Sequence, residues 1–287
     1  LKSGSLKVFP GKREAIRGLL GAHAVSSLAG YAAGLAVLAL AAALARKRGA
    51  LDAGGVAAAL AIGLVLLAAS WVALALMIAF FASSTALTFY RYREKERVGA
   101  AEKKGGRSAA QVLCSGGVPA AVAAASLLAP EQGARLLFAA ASAIAYANAD
   151  TWAAELGSLS GTQPRLIVKP RVRVPPGVSG GVTPLGEVGA ASGSALIALA
   201  YYAMTGGNAL AVFLLGWAGE VVDAALGALF QVKYVCPKCG VLWDHPVHVC
   251  GSETAYLRGF KWMKNEVVNL VTELAVVSAA LLTSLHP

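Results

Sequence analysis

Three polar residues, Asn148, Asp150 and Glu155, close an otherwise apolar run in the stretch ANADTWAAELG at 147–157. Carboxylates are expensive in hydrocarbon, so acids inside a membrane-grade segment are candidate working groups. On an ideal helix Asn148 and Glu155, seven apart, share a face with Thr151 and Trp152 between them, while Asp150 is rotated away. Either the helix breaks before Gly157 and both acids point inward, or one acid alone serves a site. A solvated helix end is the plainer reading of Glu155.

Two further segments repeat this pattern. Glu220, Asp223 and Gly227 recur at i, i+3 and i+7, and so do Glu266, Asn269 and Glu273, with Asn265 one turn before Asn269. Polar groups at such positions can simply hydrogen-bond between helices. Carboxylates and carboxamides converging in one place suit a hard cation such as Mg²⁺, which takes oxygen ligands and keeps waters for a phosphate.

The loop KPRVRVPPGVSGGVTPLG, 169–186, complements those acids. Gly177, Gly180 and Gly181 allow backbone N–H groups to crowd around an anion, and a helix is expected to begin near Thr183. Lys169, Arg171 and Arg173 add positive charge. The pattern GxxxxGK[ST] is absent, which excludes a P-loop nucleotidase. Taken alone, the glycines describe a turn; beside a cluster of acids they describe a phosphate cradle.

Cys236 and Cys239 form C-x2-C, followed by His245, His248 and Cys250. Structural zinc is the expectation, with Cys236, Cys239, His248 and Cys250 as ligands and His245 spare. The spacing His-x-Cys departs from the usual ribbon. A reduced, metal-free turn and a redox CxxC are the other readings.

The elements that carry these groups are apolar. The chain has 287 residues, 57% hydrophobic and 14% charged, against about 25% charged in soluble domains. Runs of about 20 residues, enough to span, lie near 18–45, 108–128, 134–152, 183–205, 208–230 and 265–285, and 51–90 divides in two at Ser70 and Trp71. The expected fold is an all-α integral membrane protein of about eight transmembrane helices. It forms one polytopic domain over 1–287, with a small zinc knuckle at 232–254. The first run is too long for the h-region of a cleavable signal.

Alternate connections, 46–50, 91–107, 158–182 and 231–264, hold nineteen basic residues, and the opposite ones hold only Arg135. The net charge of +10 therefore reads as cytoplasmic loops rather than a nucleic-acid surface. Lys2, Lys7, Lys12, Arg13 and Arg17 conflict with this sidedness unless they fold back along the interface. The polar groups within the spans gather at their cytoplasmic ends, as at Ser83, Ser84, Thr88, Gln111 and Ser115. A permeation path needs polarity through the full thickness, so a site at the membrane surface is favoured over a transporter. No internal repeat supports an inverted-repeat transporter either.

Seven stretches carry a resemblance: GALDAGGVAAALAIG, FFASSTALT, KGGRSAAQVLCSGGVPA, NADTWAAELG, VPPGVSGGVTPLG, GEVVDAALGALFQ and GFKWMKNEVVNLV. Running in order over most of the chain, they resemble the plant phytyl-phosphate kinase family. That family also holds animal transmembrane protein nineteen and archaeal members with a similar CxxC knuckle, and was long labelled a domain of unknown function. Ser115 stands where asparagine is expected and Glu266 where aspartate is expected.

The resemblance implies phosphoryl transfer from CTP or another nucleotide to an isoprenyl monophosphate, with geranylgeranyl phosphate the expected acceptor. It implies that Asp150, Glu155 and Asp223 serve Mg²⁺ or its waters, with Asn148 beside them among the catalytic residues. Lys169 and the loop with Gly177, Ser179, Gly180, Gly181 and Thr183 would hold nucleotide phosphates, and Asn265 and Asn269 would orient phosphate oxygens. A prenol kinase or a cytidylyltransferase would use the same parts; a transporter of phosphorylated isoprenoids is the non-enzyme alternative.

Overall fold

A computed structural model describes residues 28–101 and 106–284. The basic residues at 2–17, together with Lys103 and Lys104, lie outside the described residues. The described residues form nine α-helices and two small sheets.

Eight helices are long and stand where the apolar runs place them: α1 (Leu28–Lys47), α2 (Ala53–Ala69), α3 (Trp71–Phe89), α5 (Ala109–Ala125), α6 (Gly133–Gly157), α7 (Pro184–Thr205), α8 (Ala209–Leu229) and α9 (Asn265–Thr283). Five of these (α1, α3, α7, α8 and α9) are long and apolar enough to cross a membrane alone, and α5 with α6 adds a sixth as a pair bent by 119°. At 17 residues α2 is shorter, about 25 Å against a hydrocarbon core of about 30 Å.

Local chemistry sets the boundaries. Ser70 ends α2 and starts α3: its N–H donates to Leu66 O, and its hydroxyl accepts from Ala73 N–H. Asp52 caps α2, Thr183 caps α7 with Pro184 in its first turn, and Asn208 caps α8. Ser108 and Gln111 make a reciprocal capping box at the start of α5.

Helix α6 is the hub, packed against α3, α5, α7, α8 and α9. Its alanines from Ala139 to Ala149 are all buried, which lets neighbouring backbones come close. Gly193 of α7 shows how close: a Cβ there would lie 2.9 Å from Asn148 O.

The connections hold what periodicity in the spans does not reveal. Residues 158–182 form an antiparallel sheet in the order β2 (Lys169–Arg173), β1 (Arg165–Leu166), β3 (Gly181–Val182). Residues 231–264 form another, ordered β5 (Leu242–Trp243), β4 (Lys233–Val235), β6 (Ala255–Arg258). The expected all-α fold is thus mostly helical, with sheet confined to two connections whose alternating RVRV and KYV runs favour strands.

All four basic connections meet at one end. Leu51 bridges to Arg107, Lys95 reaches Glu155, Gly177 packs against Ala100, and Ser179 bonds both Asp244 and Asn265. Helix α4 (Tyr92–Arg97) turns back over the end of α3 after Arg91, which sits in the left-handed region at φ 50°.

Candidate functional site

Helix α6 stays unbroken through Gly157, so its two polar faces diverge. Asn148 and Glu155 look toward α3. Asn148 is fully buried; its Oδ1 accepts from Ser83 Oγ (3.3 Å) and Ser84 Oγ (3.0 Å), and its Nδ2 donates to Gly193 O (2.8 Å). It ties three helices together, and its amide lies away from the acids it was expected to join. Glu155 accepts from Thr88 Oγ1 at 2.6 Å and pairs with the buried Lys95. Lys95 Nζ also donates to Leu87 O (2.6 Å) and Thr88 O (2.8 Å), the last carbonyls of α3. Both oxygens of Glu155 are therefore engaged in a structural pair, in place of the expected metal-side role.

The other face of α6 carries Asp150 into a cavity of about 200 Å³ at the loop end of the bundle. Glu220 and Asp223 come from α8, Glu187 from the first turn of α7, and Asn265 from the start of α9. Gly177, Ser179, Gly180, Gly181 and Thr183 close it from the connection. Four carboxylates line this space, and no Lys, Arg or His does among the described residues. Asp223 is held by Tyr146 Oη (2.6 Å) and Thr272 Oγ1 (3.2 Å), both donating to Oδ1. Glu220 is 5% exposed, and its Oε2 is buried with no hydrogen-bond partner.

Part of the expected anion cradle is engaged within the fold. Ser179 N–H donates to Asp244 Oδ2 (2.7 Å), Gly181 N–H to Val178 O (3.0 Å) and, at the cap of α7, Gly186 N–H to Thr183 Oγ1 (3.0 Å). The loop closes one side of the cavity. At Gly180, φ is +80° and a Cβ would lie 2.5 Å from Ala228 Cβ, which explains the glycine by close approach to α8. Lys169 is exposed at the start of β2, away from the cavity lining. Asn269 lies one turn deeper than Asn265; its Oδ1 is buried and without a partner.

What holds the loop is a second buried ion pair. Lys233 Nζ bonds Asp244 Oδ1 (2.6 Å) and Ser179 O (2.9 Å), and Gln231 Nε2 donates to Asp244 Oδ2 (3.1 Å). Burial pulls the Lys233 ammonium below its ordinary pKa, and the Asp244 carboxylate opposes that pull.

Asp244 follows β5, next to the knuckle. There the ligand atoms of Cys236, Cys239, His248 and Cys250 all lie within 4.8 Å of one another, a cluster that can bind a metal such as zinc. Cys236 Sγ and Cys250 Sγ are 3.7 Å apart, close to the edge of about 3.8 Å of a tetrahedron with Zn–S near 2.3 Å. The thiols share their protons: hydrogen bonds from His248 and then Ser252 bring Cys250 down to about 5, while the hydrogen bond to Cys250 and then burial push Cys239 up to about 11. His245 stands apart against Trp243, the spare that the spacing implied.

Sequence reasoning gave no role to Glu187, Glu220, Lys95, Lys233 or Asp244. The three-residue step from Glu220 to Asp223 already placed Glu220 on the right face. Nothing local marks the lysines, whose partners lie 60 and 11 residues away.

The family model described as "Integral membrane protein DUF92" matches residues 36–277. "Protein PGR" of Arabidopsis thaliana is 28% identical over 240 residues, covering 74% of this chain and 80% of its own length. "Uncharacterized membrane protein MJ0933" of Methanocaldococcus jannaschii is 38% identical over 96 residues, 32% of this chain and 39% of its own length. No solved structure matches.

Proposed function

We propose, from the premise that this chain belongs to the DUF92 family of integral membrane proteins, that it is a phosphotransferase. It would pass the terminal phosphoryl group of a nucleoside triphosphate, CTP favoured, to an isoprenyl monophosphate, giving the diphosphate. The observation that carries this reading is the cavity whose described lining holds Asp150, Glu187, Glu220 and Asp223 and no basic side chain. Carboxylates gathered in one partly buried space favour a bound cation. In a site that also takes a lipid from the bilayer, metal-bridged phosphates meet that need.

The donor set fits Mg²⁺. An ion here would use one or two of the carboxylates and complete its shell with water and substrate phosphate. Asp150 and Asp223 would hold it, with Glu220 beside them, and the ion would neutralise phosphate charge during transfer.

The chain's own residues do the positioning. Tyr146 and Thr272 fix Asp223 by its Oδ1, which turns the rest of the carboxylate to the cavity. Ser179 and Asn265, bonded to each other at 3.3 Å, form the polar rim. An acceptor monophosphate carries its nucleophilic oxygen already deprotonated, so no general base is needed. That oxygen bonds to the γ-phosphorus as the bond to the β–γ bridging oxygen breaks, and the nucleoside diphosphate leaves with the electron pair. The basic connections favour a cytoplasmic face for this site, where nucleotides are found.

The test is purified protein in nanodiscs with Mg²⁺, each nucleoside triphosphate, and prenyl alcohols or monophosphates as acceptors. Mass spectrometry should find the prenyl diphosphate, lost in Asp150→Ala. A CDP-lipid product would assign a cytidylyltransferase, a monophosphate made from the alcohol a prenol kinase, and no product with any acceptor would refute the reading.

A further inference from the structure

A second cavity, about 580 Å³, is larger than the acidic one. It lies between α1, α2, α3 and α5, and falls within the roughly 300–1,000 Å³ typical of ligand pockets. Its wall is built of residues such as Leu38, Leu60, Leu74, Met77 and Phe81, and no acid is among the described residues that line it. Both Leu74 and Phe89 of α3 reach it, so it extends along about 22 Å of helix. That is a long, apolar space inside a membrane bundle.

One end is charged. Arg48, just past α1, and Arg107, just before the cap of α5, line the cavity where it reaches the basic connections. The chain draws the starts of α2 and α5 together there: Arg107 N–H donates to Ala50 O (3.0 Å), and Asp52 N–H to Arg107 O (3.2 Å). Gln111 and Ser115 follow on α5, one and two turns down. The rim residues Leu44 and Phe89 are 48% and 42% exposed on the apolar flank of the bundle, which leaves a side entrance from the bilayer. Among the described residues the two linings are electrostatic complements, one with two arginines, the other with four carboxylates. Arg107 lies within electrostatic reach of Asp150, so the charged mouth of one adjoins the wall of the other.

We infer that the apolar cavity binds a single-chain lipid carrying a phosphate. The tail lies along α3 toward Leu74, and the headgroup meets Arg48 and Arg107. Two guanidiniums at the mouth select an anion over a free alcohol. The apolar wall along α3 takes the chain. That this lipid is the acceptor of the phosphoryl group rests on the reaction proposed above; that the cavity binds it does not.

The experiment is photolabelling with geranylgeranyl monophosphate bearing a terminal diazirine, in phosphatidylcholine nanodiscs without nucleotide. The labelled residues are read by peptide mass spectrometry. Cross-links should fall on Ile62, Leu74 or Met77. They should be competed by unlabelled geranylgeranyl monophosphate and drop at least tenfold in Arg48→Gln and in Met77→Trp, which obstructs the tail. Melting of each variant in detergent, taken alongside, shows whether it is folded, and Ala82→Trp at the exposed rim is the milder obstruction if Met77→Trp is not. Labels spread over the bilayer-facing Leu199, Leu214 and Leu274, or equal labelling by the free alcohol, would overturn the inference. Specific labelling without turnover would leave this site standing and sink the kinase reading. Turnover with labels elsewhere would do the reverse.

Discussion

Two sets of acids, buried or half-buried, sit at the same end of this bundle, and they have had opposite fates. Glu155 and Asp244 each found a lysine: Lys95 and Lys233 are fully buried, and each also bonds backbone carbonyls. Asp150, Glu187, Glu220 and Asp223 line a cavity with no basic residue among its described lining. Burial alone therefore does not mark a working acid. An acid paired by a lysine of the chain serves the architecture. The acids of the cavity are the ones that the proposed reaction would supply with a cation from outside.

This distinction predicts opposite consequences of mutation. In the cavity, Asp223→Asn keeps the oxygen that accepts from Tyr146 and Thr272 and removes only charge. The rate should fall by on the order of a thousandfold, the upper range for losing one electrostatic group from a site. The melting temperature should hold or rise, since repulsion among buried acids is relieved. Asp150→Ala should likewise abolish turnover in a folded protein. Near-normal rates in both variants would erase the difference between the two sets.

At the paired acids the order reverses. Lys95→Met strands a buried carboxylate and the last carbonyls of α3, and should cost about 3–5 kcal/mol. The double variant Lys95→Met/Glu155→Leu should recover most of that loss, because replacing both ions with apolar groups removes the stranded charge. Denaturation in detergent measures both. A double variant no better than the single would show that Lys95 acts chiefly as a cap for α3 rather than as the partner of Glu155.

The sequence was most legible where pattern is local. Apolar runs placed eight helices, and Ser70 marked the break between α2 and α3 because one hydroxyl and one N–H serve both helix ends. The spacing rule also set the alternative that α6 resolves. Asn148 and Glu155 do share a face, it turns toward α3, and Asp150 is left for the cavity. What stayed hidden depends on distant partners. Lys95 looks like any residue of a charged loop until Glu155 is folded against it. The glycine loop reads as an amide cradle until Asp244, 65 residues beyond Ser179, takes one of its N–H groups.

The knuckle belongs on the architectural side of the comparison, with a link across it. It lies in the connection that joins α8 to α9. The structure adds a tie through Asp244 and Lys233 to Ser179 on the cavity wall. Purified protein should hold about one zinc per chain in S₃N coordination. Cys236→Ser should lower stability and reduce turnover about tenfold, as losses of supporting groups around a site do, short of the loss in Asp150→Ala. No zinc in protein prepared without chelators would return the cysteines to a reduced turn and leave the cavity acids as they are.

The smallest effect is expected at Lys169, where the sequence suggested a phosphate ligand. The residue is exposed at the start of β2, and neither it nor Arg171 or Arg173 lines the acidic cavity. An exposed charge outside a site is worth little, and surface substitutions usually stay within about 0.5 kcal/mol. Lys169→Ala should then change the KM for nucleotide by about twofold or less and leave kcat and melting unchanged. The result matters beyond its size. If KM rises tenfold with kcat intact, the nucleotide runs out of the cavity across β2, and basic residues of that strand neutralise its phosphates. The cavity acids would then face a ligand already part-neutralised by the protein, and the division between acids with and without a cation would hold only for the protein without its nucleotide.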